Sequence, residues 1–123
     1  MRRARRSCAG LAVLVALAGC DGGASEDSGL PVELGECPDD SVLWEDVAPL
    51  FAESCAGCHS SELEGADRQG AAELVNYDTP EAAYQNDFLT WSTIWSGQMP
   101  PAGPLDDADA LLIWEWLSCG GPQ

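Results

Sequence analysis

Cys55, Cys58 and His59 are the side chains whose types and spacing could do chemistry, standing together as Cys55-Ala56-Gly57-Cys58-His59. Two thiols three positions apart lie on one helical turn, so both can reach a single group, and the adjacent histidine can be aimed at a metal carried by it. C-x-x-C-H is the pattern that attaches a c-type haem, with Cys55 and Cys58 as expected thioether positions and His59 as expected proximal iron ligand. Two other uses of the pattern compete with it. A zinc site needs four N or S ligands, and His59 is the only histidine, so Cys37 and Cys119 would have to be recruited. A thioredoxin-like redox pair needs a βαβ context, whereas no stretch alternates convincingly with period two.

A sixth iron ligand can be sought by elimination. Beyond the N-terminal segment there is no lysine, no second histidine, and one methionine, Met99, in Ser96-Gly97-Gln98-Met99-Pro100-Pro101. Prolines restrict φ and stiffen such a loop, so Met99 is the expected distal ligand, the alternative being a packing methionine beside an open iron position. Arg68 is the only basic residue after Arg6, and two readings of it stay open: a partner for a haem propionate, or a solvent-facing loop arginine.

The charge pattern limits partners. The chain has 5 basic and 21 acidic residues, and four of the five basic ones precede residue 7. Nucleic acid is excluded as a partner, because phosphate neutralisation needs clustered Lys and Arg. Any charged protein partner should present a basic docking surface. Hydrophobic residues make up 46% of the chain and include five tryptophans, enough to support a folded acidic domain rather than a disordered one. Its 123 residues leave room for one small domain.

The N-terminus reads as an export signal. Arg2, Arg3, Arg5 and Arg6 precede an apolar run too short to span a bilayer as a helix, which ends in Leu17-Ala18-Gly19-Cys20. That tetrapeptide resembles a bacterial lipobox, implying a signal peptide over 1–19, lipid on Cys20 and a periplasmic or cell-envelope location. Asp21 after the lipidated cysteine hints at inner-membrane retention without deciding it. Residues 20–36, rich in Gly, Ser and acid, read as a flexible tether, and 37–123 as the domain. Cys37 and Cys119, left over and flanking the domain in an oxidising compartment, are expected to form a disulfide.

Four helical stretches should position these groups. The first runs from Ser41 or Asp46 to Cys55, with Pro49 tolerable only near its first turn. The second lies within Tyr77 to Asp87, with Thr79 as cap and Pro80 as first helical residue. Phe88 to Ser96 gives a third, and the last starts at an Asp106 cap, presents Ala110, Ile113, Trp114 and Leu117 on one face, and ends before Gly120. The tryptophans are expected in the core or against a cofactor rather than at a sugar site.

Val47-Ala48-Pro49-Leu50-Phe51, Cys55 to His59, Leu74-Val75-Asn76-Tyr77, Gly97-Gln98-Met99-Pro100-Pro101, and Leu112 to Leu117 followed by Cys119-Gly120-Gly121-Pro122 occur in the order of a mono-haem class I cytochrome c domain. The chain resembles the bacterial lipoprotein forms of that family, of myxobacterial type, from about Cys37 to Pro122. The resemblance implies an all-α fold of three to five helices wrapped around one covalent haem c, with His59 and Met99 on the iron. It also implies a membrane-tethered single-electron carrier that meets redox protein partners and turns over no substrate. A haem-based gas sensor or a peroxidase-like haem enzyme is the alternative. The lysine ring of mitochondrial cytochromes c is absent, so their acidic docking partners do not carry over.

Overall fold

Four α-helices and one 3-10 turn make up the regular structure among the described residues of a computed structural model, which describes residues 29–38 and 42–123. The expected signal peptide, the lipid site at Cys20, the first part of the tether and a helix start at Ser41 lie outside the described residues. Helix α1 spans Trp44–Ser54, α2 Pro80–Tyr84, α3 Asp87–Trp95 and α4 Asp107–Ser118, with the 3-10 turn at Gly65–Arg68.

Local chemistry sets these boundaries. At the start of α1 the Asp46 carboxylate accepts from Leu43 N–H at 2.8 Å, and the first turn carries Glu45 and Asp46 where the helix dipole favours anions. Pro49 lies inside α1, further in than its first turn. It occupies the exposed side, where solvent can take the carbonyl it leaves unpaired. Thr79 Oγ1 accepts from Ala82 N–H at 3.2 Å to start α2, with Pro80 in its first position. Asp106 occupies the N-cap of α4, but its side chain makes no capping bond.

The core is built where α1 meets α4. Val47 and Phe51 are buried on α1, and Ala110, Ile113, Trp116 and Leu117 on α4. Trp116 replaces Trp114 in the expected inward face. The wheel of α4 turns so that Trp116 packs on Trp44 (centroids 5.3 Å) and Phe51 (5.9 Å). Phe51 in turn stacks on Tyr77 at 5.1 Å, 9° from parallel.

Trp114 serves another purpose. Its indole N–H donates to Glu33 O at 2.9 Å, and Trp91 Nε1–H on α3 donates to Pro31 O at 3.1 Å. Two indoles therefore hold the 29–38 segment across α3 and α4, while Leu30 and Leu34 pack on the core. The end of the segment read as tether is thus docked, because its backbone carbonyls meet fixed donors and Leu30 and Leu34 pack inward while Glu33 and Glu36 face water. Cys37 is bonded to Cys119 with Cα atoms 4.5 Å apart, clamping this segment to the end of α4. The bond uses neither cysteine of the C-x-x-C-H segment.

Beyond Cys119 the chain turns through Gly121 at φ 70°, in the left-handed region that glycine tolerates. A Cβ there would stand 2.3 Å from Tyr84 Cδ2, so the site admits no larger residue without displacing α2.

The disulfide closes a long loop, 82 residues apart in sequence, for which chain entropy gives about 4 to 5 kcal/mol before strain. Paired Cys37→Ser and Cys119→Ser replacement is expected to lower unfolding stability by about 2 to 5 kcal/mol. It should also raise amide exchange across 29–38 more than in α1. Denaturant titration with hydrogen exchange measures both, and unchanged exchange in 29–38 would show that the two indole bonds hold the segment unaided.

Candidate functional site

One turn past α1 builds the site. Phe51 O accepts from both Cys55 N–H and Ala56 N–H at 2.9 Å, and Cys55 O accepts from Cys58 N–H (3.2 Å) and His59 N–H (3.0 Å). The 55–59 segment is therefore a compact turn fixed to the helix that supplies the core aromatics. Tyr77 N–H closes it by donating to His59 O at 2.9 Å.

His59 is oriented twice. Its Nδ1–H donates to Val75 O at 3.1 Å, which leaves the lone pair on Nε2, and its ring meets the edge of Tyr77 at 5.4 Å. Tyr77 is held by its hydroxyl bond to Thr90 Oγ1 at 2.9 Å, both groups being buried. An aromatic series Trp116, Phe51, Tyr77 and His59 thus runs from the core to the site. Burial, together with the nearby Cys55 thiol, pushes the Tyr77 phenol upward, opposed by the Thr90 hydrogen bond.

Arg68 anchors the opposite loop. It is 3% exposed, and its guanidinium donates only to carbonyl oxygens. Nε–H reaches Ala71 O (3.3 Å), one Nη group Ser60 O and Leu63 O, and the other Ala72 O (2.7 Å), Val75 O (3.2 Å) and Asn76 Oδ1 (2.9 Å). Arg68 does not face solvent, so the surface-loop reading falls; it borders the cleft while its donors bond loop oxygens. Val75 O accepts from Arg68 and His59 together, so the arginine also fixes the acceptor that orients the imidazole. Nearby, burial would raise the Asp78 carboxyl, but bonds from the Ser60 hydroxyl and from Ser61 N–H (2.6 Å) outweigh it and hold that group below the usual carboxylate range.

The far wall comes from α3 and the loop after it. Gln98 N–H and Met99 N–H both donate to Thr93 O, at 2.9 and 3.0 Å, which draws the loop back onto the helix, and the Met99–Pro100 peptide is cis. Between the walls lies a cleft of about 410 Å³ that Cys55, Cys58, His59, Met99, Ile94 and Leu105 help to line. The structure thus gathers five of the sequence-selected residues, Cys55, Cys58, His59, Arg68 and Met99, at one cleft. Cys37 and Cys119 are placed elsewhere, in the disulfide. Tyr77 and Thr90, which also line the cleft, were missed as site residues, since neither stands in a pattern with a chemical signature.

Comparison with known proteins finds no family model, no curated protein and no solved structure that matches the chain. Among the described residues the chain is a small all-α bundle of four helices closed by the Cys37–Cys119 disulfide, which replaces the haem-wrapped cytochrome c fold that the short motifs implied. The covalent cysteine bridge is Cys37–Cys119, Cys55 and Cys58 are free thiols, and among the described residues no three His, Cys, Asp or Glu side chains gather as a metal site. These findings overturn haem c as the cofactor and, with it, the electron-carrier, gas-sensor and peroxidase readings that the resemblance implied.

Two predictions follow from the site geometry. Arg68→Lys replaces a five-donor fork with three donors and leaves the part-buried loop carbonyls short of partners, so it should cost about 1 to 3 kcal/mol in denaturant unfolding. Hydrogen exchange should rise in 60–76 ahead of α4, and a uniform rise would remove the special role given to Arg68. Burial raises the Cys55 thiol from 9.0 to about 11. The folded chain then holds a proton that the unfolded chain releases, so the stability from this group is full below pH 9 and is lost as pH rises toward 11. Cys55→Ser should flatten that part of the stability profile, and a Cys58→Ser control should leave the Cys55 alkylation rate low at pH 8.

Proposed function

We propose that this domain is a small-molecule-binding module whose cleft accepts a largely apolar ligand contacted by Cys55, Cys58, His59 and Met99. The carrying observation is the cleft itself. Its volume falls in the range of ligand sites, its walls are mainly apolar, and two thiols, a thioether and an oriented imidazole supply its few polarisable contacts. The role is binding: the Cys55 thiol, pushed up to about 11 by burial, stays protonated at neutral pH and is a poor nucleophile. The module belongs at the cell envelope, tethered through lipid on Cys20, on the strength of the basic, apolar and Leu-Ala-Gly-Cys order of residues 1–20.

The test starts from the full chain purified from its own membranes. Intact mass and an organic extract of the denatured protein should reveal a bound small molecule, free or attached. Apo protein should take up Nile red in a one-to-one complex that Leu105→Trp weakens at least tenfold with the helical circular dichroism unchanged. A chain that yields no ligand, and whose Nile red uptake ignores Leu105→Trp and His59→Ala alike, would refute the module. In the same preparation Cys20→Ser should move the protein from the detergent phase to the aqueous phase, and unchanged partition would remove the lipid anchor.

A further inference from the structure

From Phe88 to Leu105 the chain runs 18 residues without a charged side chain, although 21 acidic residues crowd the rest of the sequence. This stretch is α3 and the loop that follows it, and much of it faces outward. Phe88 is 72% exposed, Leu89 47%, Trp95 41% and Met99 36%. Thr90, Trp91 and Ile94 hold the inner side of α3 on the core, which leaves Phe88, Ser92 and Trp95 at i, i+4 and i+7 along the outer side. Ser96, Gly97 and Gln98 continue the exposed surface to Met99 at the cleft. Asp87 closes one end of the stretch, and Asp106 and Asp107 the other.

An uncharged apolar face bordered by acids has a definite complement. We infer that the outer side of α3 and the 96–102 loop form a docking surface for a protein partner with an apolar centre and a rim of Lys and Arg. Aromatic and methionine side chains supply the desolvated centre of such interfaces, and opposite charge at the rim steers the encounter. A second copy of this chain is disfavoured, because each would bring the same acidic border and no free cation, Arg68 being committed to carbonyls. An anionic lipid surface is repelled for the same reason. The inference goes beyond the cleft's ligand and does not depend on it.

Photo-crosslinking of the full chain in its native membranes tests the assignment, with a benzophenone amino acid at Ser92, the middle of the face, and at exposed Leu111 on α4 as control. Ser92 should give a protein adduct whose crosslinked peptide is flanked by Lys or Arg, at least fivefold above Leu111. Its yield should fall severalfold between about 0.1 and 1 M salt, as the screening length drops from about 10 to about 3 Å. Phe88→Asp should abolish the adduct while leaving Nile red uptake by the cleft intact, which separates this surface from the binding reading. An adduct to lipid, to a second copy of the chain, to a peptide without basic neighbours, or one equally strong at Leu111 would overturn the inference, as would no adduct at Ser92.

Discussion

A buried guanidinium that bonds only to carbonyls organises the half of this domain that lacks helices long enough to organise themselves. Between α1 and α2 the only helical turn is Gly65–Arg68, and the backbone there is tied by isolated turn bonds instead of a helical ladder. A lone buried charge is costly, and carbonyls partly withdrawn from water with too few donors are costly too. Arg68 cancels one cost with the other: its planar fork reaches backbone at 60, 63, 71, 72 and 75 and the Asn76 amide. A lysine could not span that set, because its three donors radiate from a single atom.

From that cage the site inherits its order. Val75 O is held by the arginine and in turn receives the imidazole proton, while Tyr77, two residues on, closes the 55–59 turn through its backbone and stacks on Phe51 through its ring. The thiols are positioned from the other side, by carbonyls of Phe51 and Cys55 that extend α1. One side of the cleft thus depends on a helix packed against α4, and the other on a loop wired to a single cation. The loop side has less apolar burial to protect it, so it is the side from which the cleft should open.

The helices were legible because their signals are local. Thr79-Pro80 starts α2 where capping chemistry requires, and the Asp106 start and Gly120 stop, with the apolar spacing of 110–117 between them, mark α4 within a residue of its limits. Distinguishing Trp114 from Trp116 was beyond that spacing. Both fit a helical stripe, and only the docked 29–38 segment, with a carbonyl aimed at one indole, decides which tryptophan turns inward. That docking was hidden for the same reason: a Gly- and acid-rich segment reads as tether until fixed donors appear opposite its carbonyls. Arg68 shows the limit most clearly. Its scarcity made it conspicuous, but all of its partners except Asn76 Oδ1 are main-chain atoms, which carry no residue identity and leave no trace in a sequence.

Charge distribution ties the two faces of the molecule together. After the N-terminal segment, every acidic residue but no free cation remains to balance the surface, so the compact state works against its own repulsion. The sole arginine is spent inside, where it offsets loop carbonyls and not surface acids. What opposes the repulsion is therefore the aromatic core, the disulfide and the indole-held segment, all of them insensitive to salt. The longest acid-free stretch after residue 20 is also the stretch that walls the cleft. A helix whose inner side lines an apolar cavity and whose outer side stays uncharged can carry a neighbour's approach to the cavity through a single layer of side chains, with Met99 common to both surfaces.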